Sequence, residues 1–213
     1  MRRGKVFIDT NIIQLAAVYK KSDVIGWINQ LYEDVYIHIS VLNELLLNRS
    51  VAEKQIHEQR WQLFDPDDVQ CLSHDEFEIY RYYERYIGES FKRLYEKKRN
   101  LGMILKSTSN LGEIHTLAAA MLLQARIICS NDYEIREIIH DEEICTAASE
   151  YDTPELIIQD TLEDFCFFCV QHKVATKKEV RQLFKVANAE DNEPKRQRKL
   201  NALNARLNEL SDS

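Results

Sequence analysis

Glycine and proline are scarce in this chain. Five glycines and three prolines stand among 213 residues, about 4% where roughly 12% is usual. A sandwich or barrel of many short strands needs a turn signal every ten residues or so, and these residues cannot supply them. The glycines (Gly4, Gly26, Gly88, Gly102, Gly112) stand singly. Neither a dinucleotide-binding G-x-G-x-x-G nor a P-loop can be written from them, which excludes both cofactor classes. No apolar run approaches the length of a membrane span, so no membrane partner is expected. The opening MRRGKVFIDTN carries basic residues without the apolar stretch of a secretory signal. Five cysteines (Cys71, Cys129, Cys145, Cys166, Cys169) are irregularly spaced, several inside apolar runs. That usage predicts reduced, buried thiols and a cytoplasmic location.

What remains is a globular composition, 45% hydrophobic and 30% charged, arranged as short apolar strands alternating with helices. Strands are expected at Lys5–Ile8, Val35–Ile39, Arg126–Ser130 and Ile144–Ala147, with a short one at Val69–Leu72. Helices are expected over 12–18 and 22–32, then from a Ser40 cap as far as Arg60. Ser73 and Glu76 form a capping box opening a long helical stretch to about Lys106, where Lys106-Ser107-Thr108-Ser109 is a polar break. A further helix runs from Asn110 to Ala125, and another follows Asn131-Asp132. Thr153-Pro154-Glu155 reads as a cap with proline at the first helical position, opening a helix to His172. Thr176 and Glu179 box another helix, EDNEPKRQRK reads as a charged linker, and Leu200, Leu203, Leu207 and Leu210 form a short apolar seam. That seam is too short for a stable isolated helix; it would dock on the body, a second protomer or another partner. The alternation argues an α/β fold around a mostly parallel sheet. We divide the chain into a domain at 1–172, with a helical insertion at about 74–106, and a helical extension at 173–213.

In such a sheet the carboxyl ends of the strands line one edge, where ligands bind. Asp9 ends the first strand and Asp132 follows the strand at 126–130. Glu44 and Glu113 each read as lying in the first turn of a helix. Four carboxylates in one crevice would raise one another's pKa. A hard divalent cation, Mg²⁺ or Mn²⁺, resolves that conflict and could support in-line attack on a phosphodiester. Each residue also has an ordinary reading: the glutamates as acids at a helix N-terminus, Asn110 with Glu113 as a capping pair, Asp132 as an N-cap.

VFIDTNII (6–13), VLNELL (41–46), NLGEIHTLAAAMLLQARIICSND (110–132) and TPELI (153–157) together resemble a PIN domain of the VapC-like nuclease group. The resemblance covers about residues 1–160. It implies a three-layer α/β/α, Rossmann-like fold and Mg²⁺- or Mn²⁺-dependent endoribonuclease activity. Its acidic quartet, both catalytic and metal-binding, falls on Asp9, Glu44, Glu113 and Asp132. Its supporting polar residues fall on Thr10, Asn11, Ser130 and Asn131. Toxin of a bacterial toxin–antitoxin pair is the role implied, with RNA as substrate, a protein antitoxin as partner and a homodimer as an assembly. A catalytically silent binding scaffold is the non-enzyme alternative. A haloacid-dehalogenase-like phosphatase would want an aspartate two residues after Asp9, where Asn11 stands.

The interval between Glu44 and Glu113 is longer than such compact toxins show. It holds Arg81, Arg85, Lys92, Arg93, Lys97, Lys98, Arg99 and Lys106, interleaved with Tyr80, Tyr82, Tyr83, Tyr86, Phe91 and Tyr95. Cations for phosphates and rings for unpaired bases suit single-stranded RNA; the plainer reading is a solvated helix whose tyrosines pack on the body. His115 reads as a groove-lining residue. Cys166-Phe-Phe-Cys169 lies mid-helix among phenylalanines and reads as core. The net charge of −7 is segregated, with ten basic and six acidic residues in 173–213.

Overall fold

The computed structural model describes residues 1–103, 110–147 and 151–210; the polar break at 106–109 lies outside them. Five strands form one sheet: β1 (Arg2–Ile8), β2 (Tyr32–His38), β3 (Trp61–Phe64), β4 (Ile127–Cys129) and β7 (Ile158–Asp160). Their order is β3-β2-β1-β4-β7, and all four pairings are parallel. Alternation along each strand sends side chains to opposite faces. Val6, Ile8, Val35, Ile37, Ile127 and Cys129 enter one apolar core. Phe7, Tyr36 and Ile128 enter the other. The first face is covered by α1 (Thr10–Val18), α2 (Val24–Leu31), α3 (Ile39–Glu44) and α8 (Leu162–Gln171). The second is covered by α5 (His74–Asn100), α6 (Leu111–Leu122) and α7 (Tyr133–Asp141). The fold is therefore a three-layer α/β/α sandwich. No helix among the described residues is long and apolar enough to cross a membrane.

Gly4 sits at φ +88° where the β1–β2 register shifts between Arg2 and Lys5, a backbone conformation that glycine adopts without steric cost.

Several local expectations are corrected. His38, not Ser40, caps α3: its imidazole accepts from the Ser40 N–H. The helix from that cap does not run to Arg60. It ends at Glu44, gives way to a 3₁₀ turn over Leu46–Asn48 with Leu46 at φ 37°, and restarts as α4 (Arg49–His57). Residues 69–72 are not a strand; the edge strand is Trp61–Phe64, whose Trp61 and Phe64 are buried. The long helix α5 keeps its Ser73–Glu76 capping box but stops at Asn100. Cys145–Thr146 (β5) lies off the main sheet, pairing antiparallel with Glu155–Leu156 (β6). The Thr153-Pro154 signal opens no helix. β6 and β7 follow it, because pairing with β4 outweighs a local cap, and α8 starts later from a Thr161–Asp164 capping box.

The charged linker is also corrected. Asn192 caps α10 (Glu193–Glu209), with Pro194 in its first turn. Leu200, Leu203 and Leu207 are buried in the same core as β1, together with Val180, Leu183 and Phe184 of α9 (Lys177–Ala187), and Leu210 packs against them. Cys129, Cys166 and Cys169 are buried, whereas Cys71 is half-buried and Cys145 exposed.

Candidate functional site

The β1–β4 register pairs Ile8 with Cys129, so the residues that follow, Asp9 and Ser130, emerge side by side at the carboxyl edge. Asp9 caps α1 and is nearly buried. Its carboxylate accepts from the Thr10 N–H (2.7 Å), Asn11 Nδ2 (2.6 Å) and Ser130 Oγ (2.7 Å). Ser130 Oγ in turn accepts from the Asp132 N–H at 3.1 Å. Asp132 caps α7 through the Glu134 N–H at 3.0 Å, so its ordinary capping role is real and coexists with its place in the cluster. The loop is pinned from below by Gln159 on β7, whose Nε2 donates to the Ser130 and Asp132 carbonyls at 2.9 and 2.6 Å.

Glu113 lies in the first turn of α6. Asn110 makes no side-chain cap there; it accepts instead from the Tyr95 hydroxyl. Glu44 is not in a first turn either. Because His38 starts α3 early, Glu44 is the last residue of that helix, the end where the dipole disfavours an acid. Its carboxylate accepts from Thr10 Oγ1 at 2.7 Å. It also reaches α6 closely: a Cβ on Gly112 would lie 2.9 Å from Glu44 Oε1.

Four elements thus deliver Asp9, Glu44, Glu113 and Asp132 to one crevice, and the electrostatics register it. Burial pushes the Asp9 carboxyl up to about 6, against the hydrogen bonds from Ser130 and Thr10, with Glu44 and Asp132 adding to the rise. Burial likewise pushes Glu113 up to about 8, with Asp132 and Asp9 repelling its charge. Asp160, by contrast, is a buried acid that already has partners: Arg2 at 2.7 Å and the Tyr32 hydroxyl at 3.0 Å.

Among the described residues no three His, Cys, Asp or Glu side chains already stand at metal-ligand spacing. The donors nonetheless suit a hard divalent cation: carboxylate oxygens, held by neutral hydroxyl and amide groups and carrying excess negative charge. Asp9, Glu44, Glu113 and Asp132 are the residues that could hold one.

Of the supporting residues, Thr10, Asn11 and Ser130 all touch the acids. The Asn131 side chain does not: its Oδ1 accepts from the Leu162 N–H of α8 (3.4 Å), while its backbone N–H donates to Asn11 Oδ1 (3.3 Å). Gly112 and Gln159 were missed from the sequence. Gln159 lies in a stretch that reads as helix, and a lone glycine carries no sign of what approaches it.

The basic residues of α5 are largely engaged. Arg93 pairs with Glu142, Lys97 with Asp141, and Lys98 with Glu134 and Glu137, all bonds to α7 or its end. Lys92 pairs with Glu89 and Arg81 with Glu84 along the helix, and Arg85 donates to the Arg81 carbonyl. Arg99 is exposed. Tyr80 and Phe91 are buried, Tyr83 is half-buried, and half-buried Tyr86 and Tyr95 bond Glu142 and Glu134. Of the aromatic residues singled out there, Tyr82 is the one classed as exposed. The stacking rings expected of α5 are therefore mostly packing groups.

His115 stands with its Nδ1 3.6 Å from the Glu84 carboxylate. Its ring stacks on His38 at 5.2 Å, and its Nδ1 is hydrogen-bonded to the Tyr80 hydroxyl at 2.9 Å. His38 accepts at Nδ1 from Ser40 and so donates from Nε2 to Tyr80 at 3.1 Å.

No protein-family model, curated protein or solved structure matches this chain.

Proposed function

We propose that this chain is a metal-dependent endoribonuclease of the PIN type, hydrolysing RNA phosphodiesters at a four-carboxylate site. The observation that carries the reading is the convergence of Asp9, Glu44, Glu113 and Asp132 from four separate elements, with Asp9 and Glu113 pushed up to about 6 and about 8. Groups so placed are costly to the fold unless a cation joins them. Asp9, Glu44, Glu113 and Asp132 would hold Mg²⁺ or Mn²⁺, which when bound would activate water and offset charge on the phosphodiester.

The chain's own residues prepare that site. Thr10, Asn11 and Ser130 orient Asp9 with three hydrogen bonds. Thr10 Oγ1 also ties Glu44 to the same turn. Gln159 holds the loop that presents Asp132. Asn11 stands where a dehalogenase-type phosphatase would need its second aspartate, and here it donates to Asp9. By the same resemblance the chain is the toxin of a toxin–antitoxin pair in the cytoplasm, with a protein antitoxin as partner and a homodimer as its assembly.

The test is cleavage of end-labelled single-stranded RNA by wild type and Asp9→Asn, each with Mn²⁺ and with EDTA. Cleavage by wild type with Mn²⁺ alone supports the reading. Cleavage that survives chelation, or equal activity in both proteins, overturns the mechanism; no cleavage by either favours the scaffold.

A further inference from the structure

On the β2–β3 side of the carboxylates, a second concavity of about 170 Å³ opens between α3, α5 and α6, walled by His38, Asn43, Asp67, Phe77, Arg81 and His115. It lies along the same two helices that carry Glu44 and Glu113. Asn43 precedes Glu44 on α3, and His115 stands two residues beyond Glu113 on α6. An apolar cavity of ~150 Å³ takes one benzene ring, so this space suits a single six-membered ring.

Its polar groups are partly committed. His38, Tyr80 and His115 satisfy one another in a chain. Asn43 Oδ1 accepts from Arg49 at 2.9 Å, which leaves its amide N–H groups as donors. Asp67 lies in the exposed turn after β3. Among the described residues its carboxylate has no ion pair or hydrogen bond, its own N–H donating to Asp65. The rim therefore offers an amide donor and the remaining N–H groups of Arg81, which also pairs with Glu84, on one hand and a carboxylate acceptor on the other, over a floor containing Phe77 and the stacked histidines.

We propose that this cavity receives one unpaired pyrimidine of the RNA strand, cytosine in preference to uracil, beside the phosphodiester at the carboxylates. This deepens the nuclease reading and rests on it for the polymer that enters. Single-stranded RNA is read by splaying bases out and bonding their edges. A carboxylate accepts from the 4-amino group of cytosine, whereas uracil presents an oxygen there and meets repulsion. Asn43 and Arg81 can donate to the ring nitrogen and carbonyl that cytosine offers beside that amine.

The experiment is equilibrium binding of fluorescein-labelled ten-residue oligo-C, oligo-U and oligo-A to the intact chain, with EDTA and again with Ca²⁺. The three probes carry equal phosphate charge, so their affinity ratios report the base. Oligo-C should bind roughly tenfold tighter than oligo-U. Asp67→Ala, shown folded by its melting curve, should bring the two together. Equal binding by wild type, preference for oligo-A, no binding of any probe, or a C/U ratio unchanged in Asp67→Ala overturns the proposal. Cleavage without base preference sinks the pocket alone. A C/U preference without cleavage sinks the nuclease reading alone.

Discussion

Gly112 and Glu44 are matched to each other across two helices: a methyl group at residue 112 would stand 2.9 Å from the Glu44 carboxylate. Gly112 has no positive φ, so alanine there is favourable for the helix by roughly 0.5–1 kcal/mol. The group that must yield is the flexible end of Glu44, which would leave Thr10. Gly112→Ala should therefore keep or slightly raise the melting temperature while cleavage falls on the order of 10–100-fold. Paired melting and cleavage measurements check this, and undiminished activity would remove Glu44 from the machinery.

Cation binding should appear as stability. If Asp9 is the central ligand, Mn²⁺ at a hundredfold its Kd should stabilise wild type by about 2.7 kcal/mol. Asp9→Asn should respond little. Thermal melts with and without Mn²⁺ read this independently of any RNA, and equal shifts in the two proteins would place the cation elsewhere.

His38 sets an acid limb. Burial, with His115 beside it, pushes its imidazole down from 6.5 to about 3. Between those values the unfolded chain binds a proton that the fold refuses, so stability rises with pH across this window and is lost as pH falls through it. The contribution is about 2 kcal/mol between pH 7 and pH 5. Asp9 and Glu113, pushed up, act in the opposite sense, so the comparison must be with His38→Gln. Denaturant unfolding at pH 7 and pH 5 should show the variant gaining about 2 kcal/mol of stability relative to wild type as the pH falls; an unchanged difference between the two proteins would contradict it.

The cations of α5 should separate into two groups. Lys98 is 11% exposed and its partner Glu134 8%, and Tyr95 bonds the same carboxylate. Lys98→Ala leaves a buried acid short of a partner and should cost about 3 kcal/mol of stability. The Lys92–Glu89 pair is 69% and 60% exposed, and Lys92→Ala should cost no more than about 0.5 kcal/mol. Any substitution of Lys98 therefore confounds folding with RNA affinity. Arg99→Ala, at an exposed position, is the cleaner probe, expected to reduce the salt dependence of binding.

The tail is part of the body's core. Leu203 and Leu207 are fully buried there. Leu203→Ala should destabilise the whole chain by about 2–5 kcal/mol in a single unfolding transition. A separate transition for the tail would show that it folds apart.

Much of the site was legible because strands announce their ends. Val6–Ile8 and Ile127–Cys129 are apolar runs of the kind that parallel sheets bury on both faces, and Asp9 and Ser130-Asn131-Asp132 follow them directly. Pairing of neighbouring strands then had to set those residues side by side. Capping boxes at Ser73 and Thr176 were equally clear, since a cap is satisfied within four residues. Where local and long-range terms competed, the local reading failed. Thr153-Pro154 lost to pairing of Ile158–Asp160 with β4, and Ser40 lost its cap to the buried His38. The charged run EDNEPKRQRK reads as solvated linker, yet from Glu193 onward it is helix because Leu200, Leu203 and Leu207 just beyond it bury against α8 and α9. Likewise the chain order could nominate four acids, but the approach of Glu44 to Gly112, the Gln159 clamp and the pairing of α5 cations with α7 acids depend on packing across the sandwich. Caps, turns and strand runs are written in neighbouring residues; contacts between elements distant in the chain arise from shared burial and charge, which the folded layers alone bring together.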